Sequence, residues 1–163
     1  MFEKPRLAKS KKEDGFKEHV LDLSRVTRVV AGGKRFRFRA VVVVGDLQSK
    51  VGIGVAKGLD VAAAIEKAKR FAQKKLISVP IINGTIPHEI EAKFGAAKVL
   101  IKPAKVGHGL VAGSASRIIL RLAGVSDATA KFISPSKNKL NNALVVIKAL
   151  ENLRSNREYT NNK

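Results

Sequence analysis

The chain has 163 residues, with 32 Lys and Arg against 13 Asp and Glu and a formal net charge of +19. A compact chain with this excess repels itself until a polyanion neutralises it, so nucleic acid or an anionic membrane surface is the expected partner. Zero cysteines exclude a disulfide framework, thiol chemistry and thiolate zinc, and a 45% hydrophobic content excludes a purely disordered basic tail.

Apolar runs such as Ala40 to Val44 fall far short of the roughly 20 residues a spanning helix needs. Met1-Phe2-Glu3-Lys4-Pro5 carries no apolar signal core. A cytoplasmic protein with no membrane partner is expected. Aromatic residues are only 5% of the chain, so charge must do more of the binding than base stacking.

Residues 1–15 read as a flexible basic tail, and residues 155–163 as a polar one. Lys17 to Val30 is strand-like, and the slip in its alternation between Leu23 and Val26 predicts a bulge there. Gly32-Gly33 supplies a hairpin connection. In the next strand Phe36, Phe38, Ala40, Val42 and Val44 share one face, with both phenylalanines expected in the core. Arg35, Arg37 and Arg39 form a comb on the other face.

Val51, Ile53 and Val55 alternate with Gly52, Gly54 and Ala56 in a third strand, whose glycines let a helix approach closely. Val61, Ile65, Ala68, Ala72 and Leu76 form one helical stripe within Leu59 to Leu76. Asp60 is the expected N-cap, its carboxylate meeting free backbone N–H groups.

The prolines and Asn83-Gly84 between Val79 and Pro87 mark a boundary, giving domains at residues 16–80 and 81–154. Ile86 to Phe94 reads as an edge strand and Ala97 to Lys102 as a second strand ending at Pro103. A helix containing Ile118, Ile119, Leu122 and Ala123 ends at Gly124. A last helix spans Leu140 to Leu153, with Leu140, Leu144, Ile147 and Leu150 inward. Both halves are α+β and both are basic: residues 1–79 hold 19 basic and 8 acidic side chains, and residues 80–163 hold 13 and 5.

The arginine comb is the sharpest chemical signal. Alternate strand residues repeat at about 6.6 Å, comparable to the spacing of successive backbone phosphates, and guanidiniums donate bidentately to phosphate oxygens. Gly107-His108-Gly109 followed by Gly113-Ser114-Ala115-Ser116 also resembles the glycine-serine phosphate loop of small-molecule kinases of the galactokinase type. No Walker-type Gly-x-x-x-x-Gly-Lys-Ser/Thr segment accompanies it. A small-molecule kinase and a free-standing double-stranded-RNA regulator therefore stand as alternatives. The three histidines are scattered, and neither metal nor cofactor is expected.

The chain closely resembles the bacterial-type ribosomal protein S-five family of the small subunit. The first half matches through Ser24-Arg25-Val26-Thr27-Arg28-Val29-Val30-Ala31-Gly32-Gly33-Lys34-Arg35-Phe36, Ala40 to Asp46, Val51-Gly52-Ile53-Gly54, Lys57 and Ala63 to Ala68. The second half matches through Pro103-Ala104, Gly107, Gly109, Ala112-Gly113, Ser116-Arg117 and Leu122-Ala123-Gly124-Val125.

The resemblance implies an α+β fold: an N-terminal double-stranded-RNA-binding-like β-β-β-α domain, then a second α+β domain with a left-handed βαβ crossover. It implies no catalysis, but a structural place on 16S-type rRNA beside the fourth and eighth small-subunit ribosomal proteins. Proximity to mRNA at the entry channel and influence on decoding accuracy and subunit assembly are further implications.

The family's rRNA-contacting loop maps onto Arg25, Arg28, Gly32, Gly33, Lys34 and Arg35; Arg37, Arg39 and Lys57 join it from the comb and its neighbouring strand. The interface with the fourth protein maps near Gly113 and Arg117. This chain departs from the family at Ala31, where lysine is usual, and at Ala56 and Ser114, where glycine is usual.

Overall fold

The computed structural model describes residues 15–153. The tails expected at 1–15 and 155–163 therefore lie outside the described residues, Gly15 excepted. Three long antiparallel strands come first: β1 (Lys17–Val30), β2 (Gly33–Gly45) and β3 (Lys50–Gly58). Helix α1 (Val61–Lys74) follows, and β4 (Leu76–Ser78) returns to pair with β3, giving a sheet in the order β1-β2-β3-β4.

The α1 face of this sheet is built from absent side chains. A Cβ on Gly54 would lie 2.0 Å from the Ala68 carbonyl oxygen, and one on Gly52 would lie 2.5 Å from that of Ala72. The helix answers with Ala64, Ala68 and Ala72, all buried, so helix and strand meet closer than larger residues allow. Ala64 replaces Val61 and Leu76 of the expected stripe, because only methyl-sized groups fit against the glycines. Asp60 does occupy the N-cap position, but its side chain makes no capping hydrogen bond.

The second half holds β5 (Ile90–Phe94), β6 (Ala97–Pro103), β7 (Leu110–Ala112), α2 (Ser114–Ala123), β8 (Ala128–Phe132) and α3 (Lys139–Glu151). Its sheet runs β5-β6-β8-β7, with β7 and β8 parallel, so β7-α2-β8 is a βαβ unit. β5 is an edge strand as expected, but it begins at Ile90 rather than Ile86. Gly124 ends α2 at φ 91, a left-handed conformation that suits glycine. Asn138 caps α3 by accepting from the N–H groups of Leu140 and Asn141. Sequence periodicity missed β7 and β8, since three to five residues are too few for alternation to emerge.

The two halves share a core. Ala40 through Val44 are all fully buried: Ala40, Val42 and Val44 pack toward α1, while Val41 and Val43 pack with Ile119, Leu120 and Leu150 from the second half. A strand covered on both sides loses its polar alternation and reads as a continuous apolar run. The β2–β3 turn strengthens the junction. The Leu47 N–H donates to the Leu122 carbonyl at 3.0 Å, and the Leu47 backbone sits where a Cβ on Gly124 would fall, 2.4 Å from its carbonyl oxygen.

That turn is organised by one carboxylate. Asp46 Oδ1 accepts from the N–H groups of Gln48, Ser49 and Lys50 at 2.9, 3.0 and 2.8 Å. Burial works to raise the Asp46 pKa, but the hydrogen bonds from Ser49, Gln48 and Lys50 together outweigh it and hold the carboxyl below its ordinary value.

The β1 bulge falls between Val20 and Asp22, not between Leu23 and Val26. The apparent slip at Leu23 is instead an exposed side chain on an edge strand, where alternation is weakly enforced. The true bulge has a chemical effect, because one extra residue exchanges the two faces of a strand. Glu18, before it, pairs with Lys69 of α1 at 2.8 Å. Asp22, after it, faces Arg39 at 3.9 Å and Lys139 of α3 at 3.3 Å.

Candidate nucleic-acid interface on the first hairpin

β3 pairs with β2 only from Phe38 onward, so Gly33 to Arg37 pair with β1 alone. The hairpin tip is thus a two-stranded ribbon reaching past β3. Its turn is Ala31-Gly32, followed by Gly33 at φ 128, a value costly for any residue with a Cβ. A Cβ on Gly32 or Gly33 would meet nothing within 4 Å, so these backbones are open to a ligand.

The register sorts the expected RNA residues onto two faces. Arg28 lies opposite Arg35, Val26 opposite Arg37, and Arg39 opposite Lys57. Because directly paired residues share a face, Arg28, Arg35, Arg37, Arg39 and Lys57 line one side. Arg28, Arg35, Arg37 and Lys57 surround a shallow depression floored by Val26 and Val30, and no carboxylate is among its described lining residues. Arg39 differs, being half-buried and engaged by Asp22.

Arg25 and Lys34 lie on the opposite, α1-side face. The Arg25 guanidinium carbon sits 4.5 Å from the centroid of the Phe36 ring. Phe36 is 46% exposed, whereas Phe38 is half-buried against the α1 core. The expectation that both are core residues fails for Phe36, because the helix that would cover it does not reach the ribbon. Counting back from the Gly-Gly turn reveals this, since Phe36 lies only three residues past Gly33 while the shorter β3 begins pairing at Phe38.

The second expected site lies at the start of α2. Gly113 is the N-cap, and its carbonyl accepts from the Arg117 N–H at 2.9 Å and from the buried Ser116 hydroxyl at 2.8 Å. Gly113 and Arg117 are both exposed and stand one helical turn apart, next to the half-exposed Val111 of edge strand β7. Ser116 is thereby spent inside the fold and not aimed at a ligand. The Gly109 N–H donates to the buried Asp127 carboxylate at 2.7 Å, which ties this loop to the start of β8.

Among the described residues, no helix is long and apolar enough to cross a membrane. No group of three His, Cys, Asp or Glu able to hold a metal ion occurs among them either.

Residues 16–80 match the model of "Ribosomal protein S5, N-terminal domain", and residues 92–163 match "Ribosomal protein S5, C-terminal domain". The small ribosomal subunit protein uS5 of Thermus thermophilus is 47% identical over 143 residues, covering 88% of each chain. A uS5c protein of Spinacia oleracea is 48% identical over 151 residues, 90% of this chain and 49% of that one. A uS5c protein of Gracilaria tenuistipitata is 40% identical over 163 residues, 99% of this chain and 94% of that one. The chain belongs to the ribosomal protein S5 family, whose members are structural, non-enzymatic proteins of the small ribosomal subunit.

Proposed function

We propose that this chain anchors 16S-type rRNA through the projecting β1–β2 ribbon, with residues 16–80 as the RNA-binding domain and residues 81–154 as the protein-docking one. The observation that carries this is the grouping of Arg28, Arg35, Arg37 and Lys57 on one ribbon face, around a depression with no carboxylate among its described lining residues. Guanidiniums spaced along a strand meet successive phosphates, and the bare Gly32-Gly33 backbone lets the RNA approach. Arg25 and Lys34 add cations from the other face, while Arg39 contributes less because Asp22 already engages it.

In the second domain, Gly113 and Arg117 beside Val111 form the surface that meets the fourth small-subunit protein, with the eighth also a neighbour. Contact with mRNA near its entry channel, and effects on assembly and decoding accuracy, follow from that placement.

The test is binding to small-subunit rRNA over a salt series. Neutralising phosphates makes log K fall linearly with log salt, by about 0.9 per contact on duplex. Replacing Arg28→Gln and Arg35→Gln together should weaken binding and lower the slope by about 2. An unchanged slope would remove the ribbon face from the interface. For the docking site, Arg117→Glu should weaken association with the fourth protein and leave the salt slope for free rRNA almost intact.

A further inference from the structure

We infer that the α1-side face of the ribbon is a stacking platform for one unpaired RNA base, separate from the phosphate-binding face and centred on Arg25 and Phe36. This rests on the RNA-binding reading of the ribbon but assigns a different kind of contact to a different face.

Phe36 is nearly half exposed, whereas Phe38, two residues on along the same face, is half-buried against the α1 core. Thr27 lies directly opposite it, with Arg25 and Val29 on either side along β1 and Lys34 beside it along β2. Val29 is 73% exposed, so apolar surface continues from the ring toward the tip. The result is an open apolar patch flanked by two cations, Arg25 and Lys34.

A patch covered by a protein segment would be expected to pair its cations with carboxylates. Neither Arg25 nor Lys34 has an acidic partner among the described residues, and the chain carries +19 overall. The occupant that fits is anionic with a flat, weakly hydrated face, which is a nucleotide whose base is free of pairing. Arginine planes and aromatic rings both accept such bases, and the stacked Arg25–Phe36 pair presents both at once. The base joins that pair as a third layer, while Lys34 meets the neighbouring phosphate.

The chain contains no tryptophan, so Phe36→Trp in the full-length protein makes a single fluorescent reporter at the platform. It would be titrated with oligouridylate, whose bases stack little on one another, and with an abasic ribose-phosphate oligomer of equal charge. Stacking predicts that oligouridylate quenches the indole fluorescence of the Phe36→Trp protein and that the abasic oligomer does not.

In parallel, Phe36→Leu keeps an apolar side chain but removes the ring, and it should lose roughly tenfold in affinity for oligouridylate. Its affinity for the abasic oligomer and its salt slope should remain those of the unmodified protein. Equal quenching by both oligomers, or no preferential loss in Phe36→Leu, overturns the inference and leaves Phe36 as mere support for Arg25. The phosphate-binding reading fails separately, if the Arg28→Gln, Arg35→Gln protein keeps its full salt slope.

Discussion

Replacing Gly54 by alanine perturbs the closest helix–strand contact in the first domain. The added methyl would sit 2.0 Å from the Ala68 carbonyl oxygen and 2.5 Å from the Ala72 nitrogen, both backbone atoms that cannot rotate away. Restoring an ordinary carbon–oxygen contact requires α1 to retreat by about 1 Å, which loosens the packing of Ala64, Ala68 and Ala72 at the same time. Overpacking of this kind costs about 1–3 kcal/mol. The upper end is expected here, because two separate backbone atoms oppose the methyl and neither belongs to a flexible side chain.

With a urea m-value of about 2 kcal/mol/M, a loss near 3 kcal/mol lowers the unfolding midpoint by about 1.5 M. Gly113→Ala is the matched control. There the new methyl meets only the Phe132 ring at 3.7 Å, at an N-cap position with φ −75 where glycine is preferred over alanine, so its midpoint should fall by only about 0.5 M. Both proteins would be unfolded in urea and followed by circular dichroism. If Gly54→Ala unfolds with the unmodified protein, close helix approach is not what the glycines in β3 provide.

Other expected outcomes concern the hairpin turn and the carboxylates. Gly33→Ala should destabilise by about 1–2 kcal/mol through its φ of 128, whereas Gly32→Ala, with open space and no such φ, should stay within about 0.5 kcal/mol; reversed ranking in urea melts would contradict the turn geometry. Asp46→Ala should cost about 1 kcal/mol at neutral pH by freeing three backbone donors. Because the folded pKa lies below the ordinary value of 3.8, that contribution is present above the unfolded pKa and lost as pH falls through the folded one. The gap between Asp46→Ala and the unmodified protein should therefore close below about pH 4, and a gap constant from pH 7 to pH 3 would contradict this.

Asp22→Asn removes the partner of both Arg39 and Lys139. A double-mutant cycle with Lys139→Met should give a coupling of about 0.2–1 kcal/mol that shrinks at high salt. The freed Arg39 should also steepen the salt dependence of rRNA binding by up to about 1. An unaltered slope would mean that Arg39 does not reach the RNA even when released.

Features set by neighbours in the chain were legible in the sequence. The Arg35, Arg37 and Arg39 alternation, the Gly32-Gly33 turn, the helix-facing glycines at 52 and 54 and the αL stop at Gly124 each express a local backbone rule. The family motifs added, by resemblance, the expectation of an rRNA-contacting loop and of a docking site. What depended on partners distant in the chain was not legible. Val41 and Val43 share a face with the arginine comb, yet they are buried because the second half packs on the base of that face and stops before the tip.

Phe36 has the same alternation as Phe38, but only Phe38 is under α1. Periodicity tells which residues share a face; it carries no information about how far the covering element extends. The bulge beside Val20 is a further case, since it turns Glu18 toward Lys69 of α1 and Asp22 toward Lys139 of α3, partners remote in the chain. Sequence alone thus determined a basic, two-part α+β protein with an arginine-lined hairpin. Tertiary structure decided which cations stand together and which aromatic is left open, because burial is a property of two surfaces and the chain's local pattern describes only one of them.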